Sequence, residues 1–124
     1  MAVPEPLYQQ IASLIEDAIV EEALGEGQRA PSTNELANFH SINPATARRG
    51  VALLAARGVL HKVRGVGMFV SQGARRRVLD RRREEFAGAF LAPVVDEAVR
   101  LRLTRAQLHE LIDKVAESRG FYGL

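Results

Sequence analysis

Two helix-start signals of different kinds stand almost back to back in this chain, and they constrain the fold more than any other feature. Ser32-Thr33-Asn34-Glu35 is a capping box: the Ser32 side chain accepts from the third helical N–H while Glu35 reaches back to the backbone of Ser32. Asn43-Pro44 is the second signal, a capping side chain followed by proline, whose missing N–H costs nothing at the first helical position. Pro31 stops any continuation from upstream, and Gly58 supplies the next C-terminal stop. The chain must therefore form a short helix from about Thr33 to His40, turn within Ser41 and Ile42, and start another helix that runs to about Arg57.

The flanking segments follow from periodicity. Leu7, Ile11, Leu14, Ile15, Ala18 and Ile19 recur at helical spacing, which predicts a first amphipathic helix ending near Gly25 or Gly27. In the helix after Pro44, Ala47, Gly50, Val51 and Leu54 form one face, the buried one, and Ala45, Arg48, Arg49 and Ala52 face away. The period then changes. Val59 to Val63 and Met68 to Val70 read as two short strands joined by Arg64-Gly65-Val66-Gly67. Beyond the arginine clusters Arg75-Arg76-Arg77 and Arg81-Arg82-Arg83, helical periodicity returns through Leu79, Phe86, Phe90, Val94, Ala98 and Leu101, with Pro93 expected to kink or divide it. Thr104 to Gln107 is another capping box, followed by a stripe of Leu108, Leu111, Ile112 and Val115.

The net charge of +2 conceals a strong asymmetry. Residues 1–28 hold six acids and no Lys or Arg, residues 29–83 hold twelve bases against Glu35 and Asp80, and residues 84–124 hold five bases and seven acids. A centre this basic suggests a polyanion partner.

Helix, helix, tight turn, helix and hairpin, in that order, is the plan of a winged helix-turn-helix. In that geometry the second helix of the turn motif lies in the major groove, with its N-terminal residues at base edges. Here Arg48 or Arg49 could pair with guanine, and Thr46 could reach a phosphate or a thymine methyl. Taken on the helix alone, the two arginines read more simply as the wet side of an amphipathic helix. The hairpin shifts that balance: Arg64 lies at its tip beside Gly65 and Gly67, where a wing meets backbone or minor groove, and His61 and Lys62 add donors on the same ribbon.

These residues resemble the GntR-type winged-helix transcription regulators, most closely their short YtrA-type branch. The resemblance is carried by Pro6-Leu7-Tyr8-Gln9-Gln10-Ile11, by Ala30-Pro31-Ser32-Thr33-Asn34-Glu35-Leu36-Ala37, by Ile42-Asn43-Pro44-Ala45-Thr46-Ala47-Arg48-Arg49, and by Gly65-Val66-Gly67-Met68-Phe69-Val70. It implies a mainly α fold with a small β-hairpin: a winged domain over 1–72, then a linker and helical dimerisation region over 73–124. It also implies a homodimer on a roughly two-fold symmetric operator of double-stranded DNA; the leading reading is a repressor, and the lack of Cys, of a signal-peptide pattern and of a membrane-length apolar stretch points to the cytoplasm. The matching contact positions are Asn34; Asn43, Thr46 and Arg48; and Arg64 and Gly65, to which the helix face adds Arg49. Asn34 departs from the arginine often found there, and Pro44 from a polar or basic residue, so the operator sequence of better-known members does not carry over.

The residues after Arg75 are too few for the large ligand-sensing domain most of the family carries. In the short branch the C-terminal helices chiefly make the dimer, which points to Phe86, Phe90, Val94, Leu108, Leu111, Ile112 and Val115; the alternative is that they fold back on their own winged domain. The arginine clusters have three readings: a solvated linker, a phosphate-contacting arm, or the first turns of the dimer helix, paired with Glu84 and Glu85. A pocket between the C-terminal helices would suit a small effector, whose identity the sequence does not state.

Enzymatic chemistry finds no support. With no Cys in the chain, thiolate sites and disulfides are excluded. His40, His61 and His109 fall on separate elements without carboxylates at ligand spacing, so neither metal nor cofactor is implied. Gly65-Val66-Gly67 belongs to a hairpin and does not precede a helix, which removes the phosphate-loop reading. Ser32 and Ser71 lack a base and an orienting acid. Glu84-Glu85 and Asp96-Glu97 are adjacent carboxylates whose side chains diverge on a helix. No stretch has the length of a membrane span, and Met1 to Leu7 lacks the basic and apolar regions of a signal peptide. Two readings compete with specific DNA binding: a winged-helix module that meets an acidic protein, and a binder of double-stranded RNA or of DNA without sequence preference.

Overall fold

The computed structural model describes residues 5–123. Met1 to Pro4, part of the stretch read for a signal peptide, and Leu124 lie outside the described residues. The chain forms two compact units, the first running to Glu84 and the second beginning at Glu85.

In the first unit, α1 (Leu7–Val20), α2 (Thr33–His40) and α3 (Pro44–Ala56) precede the antiparallel strands β1 (Leu60–Val63) and β2 (Gly67–Val70), and α4 begins at Ala74 and runs to Phe86. The capping box of α2 is formed in both directions, with Glu35 N–H donating to Ser32 Oγ at 3.1 Å and Ser32 N–H to Glu35 Oε1 at 3.2 Å. Asn43 Oδ1 accepts from Ala45 N–H at 2.8 Å, and Pro44 opens α3. The turn between them is closed by Ser41 in the left-handed conformation (φ 53°) and by Ile42 N–H donating to Ala37 O at 3.0 Å. That is a Schellman-type ending made without glycine.

Helix α1 ends at Val20, before the glycines expected to stop it. Glu22 adopts φ 64° and Leu24 N–H returns to Ala18 O at 3.0 Å, so the chain has already turned when Gly25 is reached. The hairpin pairs Leu60 with Val70 and Val63 with Gly67, which places Gly67 in the strand and shortens the turn. Gln28 to Ala30 form a third, edge segment that the alternation pattern does not reveal. Its Arg29 pairs with Phe69, flanked by Ala30 N–H to Met68 O at 2.8 Å and Val70 N–H to Gln28 O at 2.9 Å.

The core brings together Ile11, Ile15 and Ile19 of α1, Leu36 of α2, Ala47, Val51 and Leu54 of α3, Leu60 and Val70 of the hairpin, and Ala74 and Val78 of α4. The α3 face is the one its periodicity predicts. Residues 73–84, by contrast, belong to the winged unit and are not a linker, because Ala74 and Val78 are buried in its core.

The arginines of α4 explain this attachment. Arg75 Nε donates to Val20 O at 2.9 Å, at the C-terminus of α1, and Arg77 Nη1 donates to Gly58 O at 3.1 Å, just past the end of α3. Cations there complement carbonyls left without helical partners. Arg81 grips the fully buried Glu16 with two hydrogen bonds, of 2.9 and 2.6 Å, and Arg82 pairs with Asp17 at 2.8 Å. The clusters thus lie in a helix, and four of their arginines reach carboxylates and carbonyls of the winged unit's own α1 and the end of α3.

In the second unit a π-helical stretch, Ala87–Leu91, leads into α5 (Ala92–Arg100), and α6 spans Arg105–Ser118. Pro93 does not divide the helix: it occupies the first turn of α5, and Ala92 N–H bonds to Ala87 O across the widened turn. Such a bulge relieves the clash of a proline ring with the preceding turn. Arg102, in the left-handed conformation, reverses the chain, and Thr104 caps α6 in a complete capping box. Ala98 is buried and Leu108 half-buried, whereas Phe86, Phe90, Val94, Leu111, Ile112 and Val115 are exposed.

Candidate nucleic-acid interface

The capped start of α3 presents its polar residues on the side away from the core. Asn43 spends its side-chain oxygen on the cap, which leaves its amide N–H groups as the donors of that side chain. Thr46 is half-buried, and Arg48 is exposed and forms no ion pair among the described residues. An arginine on a rigid helix with no carboxylate to satisfy it is suited to reach guanine or phosphate.

Arg49 is held differently. Its guanidinium lies 3.9 Å from the centre of the Tyr8 ring, stacked against the start of α1. Such a stack is worth about 0.5–1 kcal/mol and leaves the edges of the guanidinium available as donors. The two adjacent arginines thus separate into an outward side chain and one that also ties α1 to α3.

At the wing, Val66 N–H donates to Val63 O at 3.0 Å, and Gly65 takes φ 78° with no atom within 4 Å of where a Cβ would stand. A positive φ at the third position of a turn is the type II requirement for glycine. Arg64 and Lys62 are exposed. His61 is only in part a free donor, since its Nδ1 lies 3.0 Å from Ser71 Oγ and its ring lies tilted against Phe69.

Asn34 is exposed in the first turn of α2, beside Glu35. Interaction with the Ser32 hydroxyl, and then with its backbone N–H, holds the Glu35 carboxyl below the usual range, with the charge of Arg29 acting in the same direction. Arg29 is the basic residue that sequence reasoning counted only as part of the basic centre. Its signal was its place alone between the acidic first block and the capping box.

No group of three or more His, Asp or Glu side chains among the described residues could hold a metal ion, and no described helix is long and apolar enough to cross a membrane. A cavity of about 420 Å³ lies between α1 and α2, lined by Leu14, Leu24, Leu36 and Phe39 among others.

Residues 7–70 match the family of bacterial regulatory proteins described as the gntR family. The chain belongs to the GntR family. It is 28% identical over 113 residues to the HTH-type transcriptional regulator YhcF of Bacillus subtilis (strain 168), a match covering 91% of this chain and 92% of that protein. It is 29% identical over 70 residues to the HTH-type transcriptional repressor YtrA of the same organism, covering 56% of this chain and 54% of YtrA. Among solved structures, the DNA-binding domain of AraR in complex with its operator ORX1 superposes with a TM-score of 0.53 at 29% identity, covering 55% of this chain and 82% of that one. As a GntR-family member with a winged helix-turn-helix fold, the protein is a DNA-binding transcriptional regulator and not an enzyme.

Proposed function

We propose that this GntR-family chain is an operator-specific repressor that binds a two-fold symmetric site in cytoplasmic double-stranded DNA as a homodimer, with the winged domain supplying the contacts. The observation that carries this reading is Arg48, exposed and without an ion pair among the described residues, on the outer face of a helix whose start is fixed by Asn43 and Pro44. In the proposed complex Arg48 reads a base, Asn43 and Thr46 contact the DNA at the first turn of α3, and Arg49 reaches phosphate from its stack on Tyr8. Asn34 approaches from α2, while Arg64 and Gly65 bring the wing tip to the backbone.

The exposed apolar series on the second unit supports dimerisation, and two half-sites about 34 Å apart require a fixed pair. Repression is supported by the name that YtrA bears.

Selection of duplexes from a random library by the full chain, followed by nuclease footprinting, tests the reading. A symmetric protected site is expected. On the selected duplex Arg48→Ala should weaken binding by about 1–3 kcal/mol, with a smaller loss on scrambled DNA. Equal losses on both would make Arg48 a phosphate contact, and no duplex binding at low salt would refute the reading.

A further inference from the structure

The outer face of the wing carries a cation that neither the helix-turn-helix plan nor the hairpin pattern assigns. Arg29 and Phe69 are paired across the edge of the sheet, and β1 places His61 opposite the same Phe69. Residues directly opposite one another in an antiparallel sheet point to the same face, so His61, Phe69 and Arg29 form one row. Leu60 and Val70 fall on the other face and are buried in the core. The row therefore lies on the solvent side.

From that row the Arg29 side chain extends along the sheet toward the turn. A Cβ built on Gly67 would stand 2.9 Å from Arg29 Nε, so the guanidinium occupies the space that a side chain at Gly67 would fill. Gly67 is the turn-proximal end of β2, and the turn it closes bears Arg64. The backbone of Arg29 is fixed on both sides by the bonds to Met68 and Val70. Glu35 of α2 feels the charge of Arg29, yet the guanidinium forms no ion pair and no hydrogen bond among the described residues. It is thus positioned by shape, with its donors uncommitted, between the wing turn and α2.

We propose that Arg29 is a phosphate-binding residue of the DNA interface, laid over Gly67 so that it, from the edge segment, and Arg64, from the turn, approach the DNA backbone on the same wing. This rests on the DNA-binding reading of the wing. The arrangement also deals with Glu35, whose carboxylate is required by the capping box and would otherwise repel an approaching phosphate.

The test is a salt titration of the full chain on its selected duplex and on a scrambled duplex, by fluorescence anisotropy from about 50 to 200 mM salt, for wild type, Arg29→Ala and Arg29→Lys. Arg29→Ala is expected to weaken both complexes by a similar factor, roughly tenfold at the low end. It should also reduce the slope of log affinity against log salt by about 0.9 per bound protomer. Arg29→Lys, which keeps the charge, should retain most of the wild-type slope. An unchanged slope in Arg29→Ala overturns the proposal, even if affinity falls, because the residue then acts through the fold or by offsetting Glu35. A loss confined to the selected duplex overturns it in favour of base or shape readout. Thermal unfolding identifies any loss of fold in the alanine variant, in which case Arg29→Gln, which keeps much of the side-chain length without the charge, decides: a slope reduced by about 0.9 per protomer supports a phosphate contact and a wild-type slope overturns it. Wild-type binding with altered Arg29 having no effect removes only this inference, whereas failure of the wild type to bind any duplex removes the DNA-binding reading and Arg29 with it.

Discussion

Gly50 shows how a single missing Cβ sets the spacing of the recognition helix. A Cβ at this position would stand 2.9 Å from the Tyr8 carbonyl oxygen and 3.3 Å from Ile11 Cγ2, so α3 crosses α1 at a distance that only glycine permits. The same seam holds the stack of Arg49 on Tyr8. Alanine is favoured over glycine inside a helix by about 1 kcal/mol, but overpacking against atoms that cannot rotate away costs about 1–3 kcal/mol. The carbonyl belongs to the α1 backbone and cannot swing aside, so the clash should win. Gly50→Ala is expected to lower stability by about 1 kcal/mol or more in urea unfolding. Gly88→Ala is the control, since open space surrounds that glycine, and it should be neutral or stabilising. Equal behaviour of the two variants would show that the crossing relaxes freely.

Helix α4 is attached to the winged unit chiefly by charge, with little apolar surface. Its buried residues are Ala74 and Val78, while Arg75, Arg77, Arg81 and Arg82 reach α1 or the end of α3. Glu16 is the hub: it is fully buried, Arg81 holds it in a fork, and Arg57 approaches it at 3.4 Å. A buried ion pair need not be a large net source of stability, but deleting one member leaves the other uncompensated. The arginine side chains here are 25–35% exposed and can partly rehydrate, so Glu16→Gln should cost about 2–3 kcal/mol, at or below the low end for a buried pair. Urea unfolding, with amide exchange reporting early loss of protection in α4, checks this; a cost under about 0.5 kcal/mol would show that the ion pairs of Glu16 are not what holds α4. The same element marks where reading from sequence stops. Both ends of the turn between α2 and α3 were legible because caps are written within a few residues of where they act, and the buried face of α3 was legible because its period is local. The partners of α4 are not local: Arg81 and Glu16 are 65 positions apart. An arginine-rich stretch with two small apolar residues reads as linker until Glu16 is known to face it. The edge segment at Arg29 was hidden for a like reason, since its strand character comes from the ladder to β2 and not from any alternation of its own.

Across the molecule, the basic centre divides into two populations with different roles. Arg57, Arg75, Arg77, Arg81 and Arg82 are engaged with the protein's own carboxylates and helix ends, while Arg29, Arg48 and Arg64 are exposed and form no ion pairs among the described residues. A count of charge along the sequence therefore overstates what is left for a polyanion, and DNA affinity should depend on a few residues. The second unit poses the complementary question of where its apolar surface goes. Phe86 and Phe90 place their rings 5.8 Å apart, and with Val94, Leu111, Ile112 and Val115 they remain exposed in a unit where, among the described residues, only Ala98 is buried. Exposed apolar surface on this scale is expected to be covered by association, and an isologous pair places the same patch on both sides of the interface. Wild type should then sediment at twice the 13.6 kDa chain mass at micromolar concentration, and Phe90→Glu combined with Ile112→Glu should return it to the monomer mass. Operator affinity should fall with the mass, because each half-site must then be bound without its neighbour, whereas the thermal unfolding of the winged unit should be unaffected. A wild-type monomer at concentrations that saturate the operator would refute the dimer, and a double variant that stays dimeric would place the interface on another surface.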